Sequence, residues 1–178
     1  PCAGGAVYSP ALTDFVFVVD SISKMFITGP EVIKTVLGED ISMEELGGAR
    51  VHSEITGNAH FFAESEDECF DQIKSLLSYL PCSNTDVPSR KEVLEPLEKY
   101  DISEIVPTDK RQPYDVRNVI RAVTDGSYFF EIQENWAANM VIGFGTMNGR
   151  TVGFVANQPL VLAGVLDVDS SCKAGRFI

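Results

Sequence analysis

The spacing of apolar and polar positions changes period several times along this chain. Gly4-Gly5-Ala6 leads into Val7–Leu12, the pattern of a short helix entered through a glycine turn. Phe15–Val19 is an unbroken apolar run rich in β-branched residues, which predicts a buried strand. Lys24–Thr28 predicts a second short strand, closed by Gly29-Pro30. Glu31–Leu37 then reads as a helix stopped by Gly38, and Ser42–Leu46 as another stopped by Gly47-Gly48. The clearest helix begins at Ser65. Ser65 and Glu68 have the spacing of a capping box, and Phe70, Ile73, Leu77 and Leu80 recur at helical intervals until Pro81 ends the run.

Residues 81–113 break this order. They hold five of the nine prolines and many charges, with little periodicity, and they predict a linker between two domains. Beyond it, Asp115 caps a helix with Val116, Val119, Ile120 and Val123 on one face. Asn139–Gly145 and Thr151–Ala156 predict two strands joined by a tight turn at Asn148-Gly149. A last helix starts near Ser170. The resulting division is 1–80, 81–113 and 114–178, with two domain pieces that are each small for an independent core.

Composition narrows the possibilities. With 44% apolar residues the chain has ample material for a packed interior. Its longest apolar runs, such as Phe15–Val19 and Val152–Ala156, are too short to span a bilayer. Pro1-Cys2-Ala3-Gly4-Gly5 has neither a basic stretch nor an apolar signal core, and both ends read as cuts through structure. A formal charge of −12 argues against nucleic acid as a partner. The adjacent basic pairs Arg90-Lys91 and Lys110-Arg111 lie in polar connecting sequence. Cys2, Cys69, Cys82 and Cys172 form no CxxC pair, and with two histidines a zinc site is not expected. Reduced thiols and a cytosolic location are the default. Cys69 reads as a small core residue, and His52 and His60 as structural residues in strand segments.

A run of motifs then points to one family. Pro1-Cys2-Ala3-Gly4-Gly5-Ala6-Val7-Tyr8-Ser9-Pro10-Ala11-Leu12-Thr13-Asp14 resembles the oxyanion-loop segment of acyl-CoA carboxyltransferase subunits. Met25-Phe26-Ile27-Thr28-Gly29-Pro30, Gly38-Glu39-Asp40 and Glu45-Leu46-Gly47-Gly48-Ala49 follow in that family's order. So do Ile105-Val106-Pro107, Pro113-Tyr114-Asp115-Val116-Arg117, Asn148-Gly149-Arg150, Val155-Ala156-Asn157-Gln158-Pro159 and Ala163-Gly164-Val165-Leu166-Asp167. One departure is Gly145-Thr146, where relatives commonly carry Ala-Arg.

The resemblance implies an α/β fold of crotonase (ClpP/crotonase) type, with this chain holding parts of two tandem domains: the C-terminal half of the first over 1–80 and the opening strands of the second over 114–178. It implies transfer of a carboxyl group between biotin and the α-carbon of an acyl-CoA, with propionyl-CoA or methylmalonyl-CoA favoured. The implied partners are a biotin carboxyl carrier protein with biotin carboxylase, or the membrane subunits of a sodium-pumping methylmalonyl-CoA decarboxylase, in a homo-oligomer of hexamer type. The location is cytoplasmic, or the mitochondrial matrix in a eukaryote.

In that chemistry an enolate places negative charge on the thioester oxygen, and backbone N–H groups at a glycine turn can stabilise it. Spacing alone makes Gly4, Gly5 and Ala6 a packing turn as readily as a site; the resemblance assigns them to the oxyanion, with the donating amide left open. It also brings Asn157, Gln158, Ala163 and Gly164 to the biotin or substrate channel, with packing of a strand end as the competing role. No side-chain base is implied, since the ureido nitrogen of biotin can take the α-proton. Ser9 beside Pro10 lies in no GxSxG elbow, and Val7-Tyr8-Ser9-Pro10 lacks the carboxylate that a hydratase of this fold would place after its glycine turn. A non-catalytic piece serving as an assembly surface is the remaining alternative.

Overall fold

A computed structural model describes residues 1–96, 102–109 and 111–178. Lys110 of the basic pair and residues 97–101 of the 81–113 stretch lie outside the described residues. The chain forms two compact units, Pro1–Ile73 and Lys74–Ile178.

The first unit is built on two short parallel pairs. Strand β1 (Cys2–Ala3) leads through a 3₁₀ turn at Gly4–Val7 into helix α1 (Tyr8–Ala11). Strand β2 (Phe17–Val19) is followed by β3 (Met25–Phe26), α2 (Pro30–Leu37) and α3 (Met43–Gly47). A π-helical turn, Val51–Ile55, precedes β4 (Phe61–Ala63) and α4 (Glu66–Leu77), whose last turn passes into the second unit. β1 pairs with β3 and β2 with β4, both parallel. Val7, Val16, Val18, Met25, Ala49 and Ala59 make the core, and the rings of Phe17 and Phe61 stack 4.5 Å apart.

The helix boundaries follow their caps. Ser42 and Glu45 form the capping box of α3, and Gly38 stops α2 at a φ of 74° that favours glycine. At α4 the Ser65 hydroxyl accepts from the Glu68 N–H, but the Glu68 carboxylate reaches the amide of Glu64 rather than that of Ser65. The buried face of this helix also differs from the expected one. Phe70 and Leu77 are exposed, whereas Leu76, and Tyr79 just beyond the helix, are buried. The inward row is Cys69, Gln72, Leu76 and Tyr79, one residue round from the apolar row, because the Gln72 amide donates to the Phe62 carbonyl at 2.9 Å.

In the second unit, α5 (Ile102–Ile105) and α6 (Val116–Val123) precede an antiparallel sheet of β5 (Phe129–Ile132), β6 (Met140–Met147) and β7 (Arg150–Asn157), with α7 (Val168–Phe177) after it. β5 has no counterpart in the sequence-based expectation, since four residues after a turn carry too little periodicity to register. β6 is central and almost wholly buried, while β7 is an edge. Their hairpin turns on Asn148 and Gly149 with φ of 51° and 73°, the pair of left-handed residues a type I′ turn needs. Asp125 accepts from both of their amides. Part of the proline-rich stretch is tied to this end of the sheet: the Lys91 N–H donates to the Gly149 carbonyl and the Gly126 N–H to that of Leu94. Tyr79 stacks on Phe130 and Phe144, and the Phe177 ring packs at a tilt on Phe144. At the Gly145-Thr146 departure there is little room, since a Cβ on residue 145 would come within 2.7 Å of Thr124 Cγ2.

A buried lysine also ties this unit together. Lys173 of α7 donates to the carbonyls of Gln133 and Trp136 at 2.8 and 2.7 Å, closing the β5–β6 loop. Burial pulls its ammonium down to about 8, below the ~10.4 of a free lysine. Across pH 8 to 10 the unfolded chain therefore holds more protons than the folded one, so this group makes stability rise with pH in that window. We predict that Lys173→Met, which takes the ammonium from the Trp136 carbonyl and leaves that of Gln133 only the Trp136 N–H, costs about 1–3 kcal/mol at neutral pH. It should also abolish the alkaline rise; denaturant titrations at pH 7 and pH 9.5 check both outcomes.

Candidate functional site

The Gly4-Gly5-Ala6 turn is set by the strands beneath it. β1 and β3 register Cys2 against Met25 and Ala3 against Phe26, and the Cys2 N–H donates to the Lys24 carbonyl at 2.7 Å. At Gly4 the chain takes a φ of +61°, a left-handed conformation that glycine adopts without a Cβ clash. The following turn is anchored by buried Val7, and it leaves Gly5 and Ala6 exposed. A Cβ built on Gly5 would meet nothing within 4 Å. The first N–H groups of a helical turn have no intrahelical acceptor, and its positive end favours an anion. The turn can therefore offer backbone donors to a developing oxyanion.

A cavity of about 490 Å³ opens beside the turn, lined by Val7, Tyr8, Met25, Ile33, Leu46 and His52 among others. Its wall is mostly apolar, with His52 as an imidazole group in it. His52 lies in the π-helical turn and not in a strand, and His60 immediately precedes β4. Both histidines bind backbone: His60 Nδ1 accepts from the Val16 N–H at 3.0 Å, and His52 Nε2 lies 2.7 Å from the Met25 carbonyl. Gly47 makes room there, since a Cβ on it would stand 2.1 Å from the Met25 oxygen. The contact of His52 with Met25 over Gly47 was not legible in the sequence; the Gly47-Gly48 pair just ahead of a histidine is the signal that could have found it.

The second group, Asn157, Gln158, Ala163 and Gly164, is brought together in the second unit. The Asn157 amide donates to the Gly164 carbonyl at 2.6 Å. Leu162, Ala163 and Gly164 have φ of 50°, 53° and 72°, a left-handed run that only tertiary contacts can hold. Those contacts are specific: the Asn139 amide donates to the Val165 carbonyl, and the Gln158 N–H donates to that of Asn139. Asn157 and Ala163 are exposed, whereas Gln158 is fully buried. Its amide donates to Asp115 Oδ1 at 2.7 Å and its side-chain oxygen accepts from the Val116 N–H, so Gln158 braces the start of α6 from below the turn.

Asp115 in turn caps α6 through the Arg117 N–H. Burial raises this carboxyl, but the bonds from Gln158 and the Arg117 amide outweigh it and hold it below the usual range. Arg117 grips Glu131 with two bonds of 2.6 and 2.7 Å. Among the described residues, no group of three or more His, Cys, Asp or Glu side chains could hold a metal ion. The chemistry within reach is backbone hydrogen bonding beside an apolar cavity.

The family model described as the carboxyl transferase domain matches residues 1–178. The propionyl-CoA carboxylase carboxyltransferase subunit of Haloferax mediterranei is 52% identical over 180 residues, covering 100% of this chain and 35% of that protein. The methylmalonyl-CoA decarboxylase subunit alpha of Veillonella parvula is 47% identical, with the same coverage. Among solved structures, transcarboxylase 12S, described as a hexamer with methylmalonyl-CoA and methylmalonic acid bound, superposes with a TM-score of 0.93 at 47% identity, over 99% of this chain and 34% of that one. The chain thus has the crotonase-like α/β carboxyltransferase fold, and it spans about a third of the length of these relatives.

The two glycines of the site region should respond oppositely to a methyl group. Gly5→Ala enters open space and should change stability by no more than about 0.5 kcal/mol. Gly47→Ala drives a Cβ against the Met25 carbonyl and should cost about 1–3 kcal/mol. Thermal unfolding of the two variants side by side reads the difference.

Proposed function

The chain belongs to the carboxyl transferase domain family, and from that premise we propose that it is part of an enzyme moving a carboxyl group between biotin and an acyl-CoA, propionyl-CoA or methylmalonyl-CoA. The observation that carries this reading is the turn at Gly5 and Ala6: an exposed, unobstructed stretch of backbone at a helix start, beside an apolar cavity. Loss of the carboxyl group or of a proton from the α-carbon leaves an enolate, whose charge falls on the thioester oxygen. Backbone donors aimed at that oxygen lower the barrier and raise the rate, each by a factor of about 10²–10³. The apolar wall strengthens the effect by lowering the local dielectric. Gly4 sets the direction of the turn, and Gly5 keeps the approach free of a side chain. The chemistry supplied by bound biotin is a ureido nitrogen able to give up or accept the carboxyl group.

In the second unit, Asn157, Ala163 and Gly164 are proposed to face biotin or the acyl-CoA, since the first two are exposed and the side chains at 163 and 164 are small. Gln158, buried below them, is proposed to act on the same turn by holding α6. Residues 1–80 and 114–178 would belong to successive crotonase-like domains, joined by 81–113. A biotin carboxyl carrier protein and a biotin carboxylase, in an oligomer like the hexamer of the solved relative, are the proposed partners. A soluble, reducing compartment, cytoplasm or mitochondrial matrix, is in keeping with four free cysteines and with the absence, among the described residues, of a helix long and apolar enough to cross a membrane. The likeness to a decarboxylase subunit supports a second reading, transfer in the reverse direction from methylmalonyl-CoA.

The test is carboxyl transfer from methylmalonyl-CoA to free biotin by the complete protein containing this chain. Biotin-dependent transfer is expected. Gly5→Val should lower it by about 10²-fold or more with unfolding and assembly unchanged. Wild-type activity in that variant would remove the turn from the mechanism.

A further inference from the structure

We propose that His52 is a positioning residue that holds the Gly5–Ala6 turn in register by gripping the carbonyl of Met25; this rests on the carboxyl-transfer reading of the turn. The Met25 oxygen can only accept, so the 2.7 Å contact places the proton on His52 Nε2. His52 Nδ1 is then an acceptor, and its partner at 3.0 Å is the Thr56 hydroxyl. Thr56 Oγ1 itself accepts from the Asn58 N–H at 3.3 Å. The imidazole is thereby held at both nitrogens in one tautomer.

The backbone is shaped to deliver it. Val51–Ile55 is π-helical, closed by the Thr56 N–H on the Val51 carbonyl at 3.0 Å. The extra residue in such a turn re-aims the side chains around it, and π-turns recur at functional sites. The ring reaches Met25 because residue 47 has no side chain: a Cβ there would lie 2.1 Å from the Met25 oxygen and 3.3 Å from His52 Nε2.

What the grip controls lies three residues before the first of the proposed oxyanion donors. Met25 is the register partner of Cys2, and the Cys2 strand ends where Gly4 turns left-handed. β1 and β3 are only two residues long each, so their own ladder is too short to fix where the turn points. A donor on the Met25 carbonyl from outside the pair supplies the missing constraint. His52 does not need to touch the reacting oxygen: a shift of about 1 Å in an oxyanion donor can cost about 10²-fold in rate.

The experiment uses three variants in the complete protein. The amide nitrogen of glutamine reaches the position of Nε2, whereas that of asparagine reaches only the position of Nδ1. Steady-state transfer from methylmalonyl-CoA to biotin would be measured for His52→Gln, His52→Asn and His52→Leu, each below its own Tm. For the asparagine and leucine variants kcat should fall about 10²-fold with KM for the acyl-CoA unchanged, while glutamine should restore most of kcat. If asparagine restores activity as well as glutamine, or leucine keeps wild-type kcat while Tm falls, His52 serves the fold alone and the proposal is wrong. Wild-type protein without transfer would overturn the carboxyl-transfer reading itself, and this proposal with it.

Discussion

A buried backbone carbonyl or amide that no helix or strand can pair has to be met by a side chain, and the irregular joints of this chain depend on that constraint. In the first unit His52 meets the Met25 carbonyl, His60 the Val16 amide, and Gln72 the carbonyl of Phe62. In the second, Asn139 and Gln158 hold the left-handed turn and the start of α6, and Lys173 closes the β5–β6 loop. The backbone groups met by His60, Asn139, Gln158 and Lys173 lie where regular structure begins or ends. Without these side chains the short strands and tight turns would leave unsatisfied groups in an apolar interior, at about 1–3 kcal/mol apiece.

The same constraint explains why the candidate site is made of backbone. A left-handed glycine followed by an exposed turn presents amides whose direction is set by the chain and not by a rotamer. Such donors are useful in catalysis only if the chain cannot drift, and two-residue strands alone cannot prevent drift. The side chains that satisfy the joints also limit it. Stability and geometry therefore draw on one set of contacts here, with His60 anchoring β2 to the segment before β4 and His52 anchoring β3.

Several elements were legible because their chemistry is local. The tight turn at Asn148-Gly149, the short helix starting at Ser42 and the Gly38 stop each depend on residues within a few positions of one another. The glycine turn ahead of a short helix was legible for the same reason. Other features were not. The inward face of α4 is rotated by one residue because a glutamine, and not the phenylalanine beside it, found a partner in the neighbouring strand. His52 occupies a π-turn that no apolar period signals, and β5 is too short to show one. Asn157, Gln158, Ala163 and Gly164 were legible as neighbours at a strand end and the loop after it, but their different exposures were not: Gln158 is buried on Asp115, 43 positions earlier in sequence.

By itself the sequence determined the hairpin turn at Asn148-Gly149, the Gly38 stop, the Asp115 cap and the side-chain-free stretch at Gly4-Gly5, since propensity, capping and positive φ act over a few residues. It also carried the ordered motifs of a carboxyltransferase. Only the tertiary structure decided which side chain meets which buried carbonyl: His52 and Met25 are 27 residues apart, and Lys173 and Gln133 are 40. Pairings across such distances follow from how layers pack, and packing is a property of the whole unit that no local pattern encodes.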